Sequence, residues 1–128
     1  MREAHTHFRE QRRAERQARF RLGHWAEWVA SLALTLKGYR ILARRCKTHS
    51  GEIDLIAVRG GTLAFVEVKA RATLEAAQAS ISNRQAARSR RAASLWLGER
   101  TRYHNFEQRF DALYIVAGLW PHHVPAGA

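Results

Sequence analysis

A chain of 128 residues with 46% hydrophobic side chains can form one domain with one core, which excludes an intrinsically disordered protein. A single cysteine, Cys46, excludes an internal disulfide and a Cys-x-x-Cys zinc site and suits a reducing, cytoplasmic setting, and no run approaches the roughly 18 apolar residues that span a membrane. The net charge of +11 favours a polyanionic partner, nucleic acid ahead of anionic lipid, through counterion release.

Residues 1–22 read as a basic N-terminal extension. Seven Arg and three Glu within residues 1–21 supply +4 of the charge, and the composition predicts a segment that is helical on nucleic acid and loose otherwise. A domain over 23–118 and a C-terminal tail over 119–128 follow. Residues 23 to 37 are predicted as a helix. Trp25, Trp28, Val29, Leu32 and Leu36 recur at helical spacing and read as its core face, widened by Ala26, Ala30, Ala33 and Leu34. His24, Glu27, Ser31 and Thr35 form the polar strip, and Gly38 suits the position just past the end. The tryptophans accordingly read as core and not as base-stacking platforms. Tyr39 to Ala43 is a short strand.

Two apolar strands are expected at 52–58 and 62–69, joined through Gly60-Gly61, a hairpin turn signal. Residues 82–98 form a second helix, with Ser82 and Gln85 as a capping box. A last strand covers 109–117. Helix, three strands, helix, strand is an α/β fold built on a mixed sheet flanked by helices.

The hairpin carries the chemistry. With a two-residue loop, Arg59 pairs with Thr62, so Asp54 falls opposite Glu67 and Glu52 opposite Lys69, all on one face with Ile56, Val58, Leu63 and Phe65. Opposed Cβ atoms lie roughly 4.5–5.5 Å apart, and two carboxylates at that range repel unless a cation sits between them. Hard oxygen ligands suit magnesium or manganese. Lys69 adds a positive charge that can act on a metal-bound water or on phosphate. An ordinary cross-strand salt network is the plainer alternative. Arg84, Arg88 and Arg91 make one stripe on the second helix, suited to phosphate contacts or simply to solvent, and Arg44, Arg45 and Lys47 extend it. The histidines do not cluster into a zinc site.

Asp54 followed by Glu67-Val68-Lys69 resembles the Asp…Glu-x-Lys signature of the PD-(D/E)XK nucleases. The longer text GEIDLIAVRGGTLAFVEVKAR, with Gly23, Glu27, Ala30, Gly38-Tyr39 and Arg109-Phe110-Asp111 around it, is similar to the YraN-like family of small bacterial proteins. The resemblance implies a restriction-endonuclease-like αβββαβ core and a magnesium- or manganese-dependent endonuclease acting on DNA, branched or single-stranded forms included. It implies Asp54, Glu67 and the Val68 carbonyl as metal ligands, Lys69 as the catalytic lysine and Glu27 as an accessory acid. Arg84, Gln85, Arg88, Arg91, Arg44 and Arg45 are the nucleic-acid contacts expected around that site. Ile53 replaces the Pro of the superfamily name, and Arg84 and Gln85 stand where relatives often carry Lys. A non-catalytic nucleic-acid-binding module of the same fold is the alternative function.

Overall fold

A computed structural model of the chain describes residues 2–128, with the side chains of 2–8 and 14–23 left out of the description. Helix α1 runs unbroken over Arg2–Leu36. The helix expected over 23–37 begins at Arg2 instead, because Arg, Gln, Glu and Ala are good helix formers and carry it back through the basic segment. Strands β1 (Arg40–Thr48), β2 (Gly51–Arg59) and β3 (Thr62–Arg71) follow, then α2 (Leu74–Ala79), α3 (Asn83–Gly98), a 3₁₀ turn (Thr101–Tyr103), β4 (Glu107–Val116) and β5 (His122–Val124). Sequence reading gave neither α2, which Thr73 caps by accepting the Ala76 N–H, nor β5.

The five strands form one sheet in the order β1-β2-β3-β4-β5. All neighbours are antiparallel except β3 and β4, which run parallel through the α2–α3 crossover. One face packs on α1, with Leu55, Ala57, Ala64, Val66, Leu113 and Ile115 against Ala26, Ala30 and Leu34. The other packs on α3, with Ile53, Ile56, Val58, Leu63 and Phe65 against Ala92, Ala93, Trp96 and Leu97. This five-stranded mixed sheet between helices is consistent with a restriction-endonuclease-like core. Among the described residues no helix is long and apolar enough to cross a membrane.

Helix α1 buries a different face from the one its large residues suggest. Ala26, Ala30, Ala33, Leu34 and even Ser31 are buried, whereas Trp25 is 56% exposed, Trp28 66%, Leu32 61% and Leu36 67%. Small residues on the inner face let the helix backbone approach the sheet, so the bulky stripe is turned outward. At its end Gly38 takes φ 91°, and the Tyr39 N–H donates to the Leu34 carbonyl, a left-handed stop that needs glycine.

The Gly60 turn, with φ 57°, sets the expected register, Arg59 to Thr62 and onward to Leu55 opposite Val66. The β2–β3 ladder ends there. Glu52 pairs with Lys47 of β1 and not with Lys69.

Candidate metal and nucleic-acid site

The site forms where β2 leaves β3. Ile53 and Ile56 pack on the α3 side while Leu55 and Ala57 pack on the α1 side, so the alternation of β2 inverts around Asp54. The backbone of the neighbouring strand is irregular at the same level. Arg44 pairs with Leu55 and Cys46 with Ile53, and between them Arg45 adopts φ 51°, a left-handed conformation uncommon for a side chain of this size. This paired irregularity in β1 and β2 frees Asp54 from the ladder. Its Oδ2 instead accepts the Val68 N–H of β3 at 2.8 Å. Asp54 and Glu67 are thus brought together by a bend and a side-chain hydrogen bond, and the simple facing pair expected from the hairpin is corrected.

Glu67 continues the Phe65 face of β3 toward α3. Its Oε1 lies 3.3 Å from Lys69 Nζ and accepts a hydrogen bond from Gln85 Nε2 at 2.5 Å. The capping box at the start of α3 is therefore only half made. Ser82 Oγ accepts the Gln85 N–H at 3.2 Å, but the Gln85 side chain reaches to Glu67 and not back to the cap. Helix α3 comes this close because Gly51 has no side chain: a Cβ there would lie 2.7 Å from the Arg88 carbonyl oxygen.

Electrostatics follow from this placement. Burial, then repulsion by Glu67, raises the Asp54 pKa from 3.8 to about 7, with a smaller push from Glu27, against the lowering effects of the Val68 N–H and Lys69. Burial also raises Glu67, against the pull of Lys69. The wall behind Glu67 is apolar, lined by Ile53, Phe65 and Phe110, which accounts for the desolvation.

Glu27 reaches the cluster from α1. Arg45 Nε donates to its Oε2, so the left-handed residue of β1 is also the one that holds the helix carboxylate beside Asp54. Among the described residues no three His, Cys, Asp or Glu side chains converge closely enough to hold an ion by themselves. A divalent cation would need Asp54 and Glu67 completed by main-chain oxygen, such as that of Val68, or by water or substrate, a hard donor set that fits magnesium or manganese.

Of the basic residues expected at nucleic acid, Arg84, Arg88 and Arg91 are exposed along α3, with Gln85 drawn into the site between Arg84 and Arg88. Arg44 is exposed and stacks over the Trp28 ring at 4.5 Å. Arg45 is committed to Glu27. Arg90 turns instead to the Phe110 ring. Sequence reasoning missed the amide of Gln85 as a Glu67 partner and Arg45 as the holder of Glu27.

Residues 26–115 match the family described as "Uncharacterised protein family UPF0102". The UPF0102 protein of Maricaulis maris is 51% identical over 111 residues, 87% of each chain. That of Mesorhizobium japonicum is 49% identical over 111 residues, 87% of this chain and 89% of its own. A Chelativorans relative is 49% identical over 112 residues, covering 88% and 90%. Asp54, Glu67 and Lys69 all lie inside the matched span, and the similarity to YraN-like proteins seen in the hairpin extends over most of the sequence. The chain belongs to the UPF0102 (YraN) family.

Proposed function

We propose that the protein is a divalent-cation-dependent endonuclease that hydrolyses phosphodiester bonds in DNA. The observation that carries this reading is the desolvated Asp54–Glu67 pair with Lys69 Nζ 3.3 Å from Glu67. Two carboxyls with raised pKa values, held where the β2–β3 ladder ends, gain most from a bound cation. Magnesium or manganese, when bound by Asp54, Glu67 and the Val68 carbonyl, would lower the pKa of a coordinated water and offset charge growing on phosphate. The Val68 N–H fixes the Asp54 carboxylate, and Gln85 fixes that of Glu67. Lys69 keeps an ammonium beside the pair, placed to stabilise charge on a phosphate oxygen. Glu27, held by Arg45, adds negative charge that favours cation binding.

A non-catalytic nucleic-acid-binding module is the second reading. It is favoured by the engagement of Glu67 Oε1 with both Lys69 and Gln85, which already satisfies this oxygen within the protein.

Labelled branched, nicked and linear DNA incubated with the protein in manganese should be cut, and EDTA should stop the cutting. Lys69→Ala should lower the rate by about 100-fold or more with DNA affinity nearly unchanged. Binding without cutting in either metal leaves the binding-module reading in place. Affinity should also fall steeply with salt. Replacing Arg84, Arg88 and Arg91 by Ala should make the log–log salt slope shallower by about two to three units. An unchanged slope would move the phosphate contacts off α3.

A further inference from the structure

The outward stripe of α1 is unexplained by the fold. Four large apolar side chains, Trp25, Trp28, Leu32 and Leu36, are each more than half exposed, while the same helix packs on the sheet through alanines. A solitary exposed tryptophan is unremarkable, but two of them three residues apart make a continuous aromatic ledge on one side of a helix. Its location is specific. Trp28 follows Glu27, the α1 carboxylate that faces Asp54. Arg44, whose guanidinium lies 4.5 Å from the Trp28 ring centroid, precedes Arg45, which holds Glu27. The ledge therefore begins one residue from the catalytic cluster on both α1 and β1.

We propose that this ledge receives an unpaired nucleotide, with its base stacked on Trp28 and the adjoining phosphate on Arg44, so that the substrate is a nucleic acid with a single-stranded stretch next to the bond cut at Asp54 and Glu67. This rests on the nuclease reading and names its substrate class. Three features select that occupant. An indole face accepts any base, whereas a base in an intact duplex has its faces covered by neighbours. The guanidinium of Arg44 lies over one face of the ring, so a base stacked on the other face brings its phosphate within reach of a cation. The chain carries +11, which opposes pairing of this stripe with a second copy of itself and favours a polyanion. Because Trp28 is two-thirds exposed, its replacement leaves the core untouched.

The test is fluorescence anisotropy in EDTA with a labelled 20-nucleotide oligothymidine, a 20-base-pair duplex and the same duplex bearing a single-stranded overhang. Trp28→Ala should weaken binding of the single strand and of the overhang DNA by about ten-fold or more while changing duplex affinity less than about two-fold. Trp28→Phe should restore most of the loss, and abasic sites in the oligonucleotide should mimic it. The salt slope should be the same for wild type and Trp28→Ala, because stacking neutralises no phosphate. Equal binding of the single strand by wild type and Trp28→Ala overturns the proposal while leaving the nuclease reading intact. An equal loss on duplex and single strand also overturns it. A wild-type protein that sediments as a dimer and becomes monomeric in Trp28→Ala reassigns the stripe to self-association. No binding of any DNA by the wild type removes both readings together.

Discussion

Replacing Asp54 by Asn is expected to stabilise the metal-free protein at pH 8 by about 2–4 kcal/mol and to abolish its affinity for manganese. The folded-state pKa of Asp54 stands at about 7 against 3.8 for the free side chain. A carboxyl raised in this way holds its proton in the folded state at pH values where the unfolded chain has released it. Stability from this group is therefore highest near and below pH 4, falls as pH rises through the interval from 3.8 to about 7, and stays low above it. Asn keeps an oxygen for the Val68 N–H and carries no charge, so the mutant escapes the penalty. Its advantage should shrink to about 1 kcal/mol at pH 4.5, where most of the penalty on the wild type has lifted. Urea denaturation in EDTA at the two pH values reads the stability, and calorimetric manganese titration reads the ligand role. Lys69→Ala should bind manganese nearly as wild type does, which separates the ligand from the cation that acts on phosphate. A mutant less stable than wild type at pH 8 would mean that ionised Asp54 is satisfied by the protein alone. Manganese binding by Asp54→Asn as tight as that of wild type would remove Asp54 from the donor set.

The parts of the structure visible in the sequence are those with a phase or a punctuation mark. Gly60 fixed the hairpin register, Ser82 marked the start of α3, and Gly38 marked the end of α1. The bend at Asp54 has no such mark. Apart from Asp54 itself, residues 53 to 58 are apolar and buried on both faces of the sheet, so a strand that exchanges faces between Ile53 and Leu55 reads the same as one that does not. Across from the bend Arg45 takes a positive φ, and arginine carries no signal for one. Helix α1 misled for another reason. It has two apolar stripes, and periodicity reports that both exist but not which one meets the sheet. Close approach favoured the alanines. Strand β5 is three residues, two of them histidine, and it forms because β4 offers it an edge rather than through any propensity of its own. The candidate site was thus legible in its residue types and not in the geometry that assembles them.

At Asp111 sequence distance hid a structural network. It lies on the α1 face of β4, fully buried at 0% exposure. Arg109, two residues earlier on the same face, grips it with Nε at 2.7 Å and one terminal nitrogen at 2.8 Å, and also donates to the Tyr39 hydroxyl. His123 Nε2 lies 2.8 Å from Oδ2, and the Ala126 N–H donates to Oδ1 at 3.0 Å. An ionised carboxylate only accepts, so His123 Nε2 carries the proton, and its Nδ1 faces Lys37 Nζ. One carboxylate therefore ties β4, the β5 segment and the end of α1 together. Burial acts to raise its pKa, but the hydrogen bonds from His123, Arg109 and Ala126 outweigh this and hold it well below the usual carboxylate range. Asp111→Ala should cost about 3 kcal/mol or more, because it leaves a guanidinium, an imidazole and an amide N–H without their acceptor. His123→Ala should cost less, since Arg109 and the Ala126 N–H remain on the carboxylate. Asp111 has a depressed folded pKa, so its contribution is complete above about pH 4, the unfolded value, and is lost as pH falls toward the folded one. That interval lies below the one governed by Asp54. Urea denaturation from pH 2 to pH 7 should therefore show an acid limb in wild type that flattens in Asp111→Ala, while the fall in stability between pH 4 and pH 7 persists in both. A loss of less than 1 kcal/mol with the acid limb unchanged would show that the network closes over the gap, and that the C-terminal segment is held by its β5 backbone pairing alone.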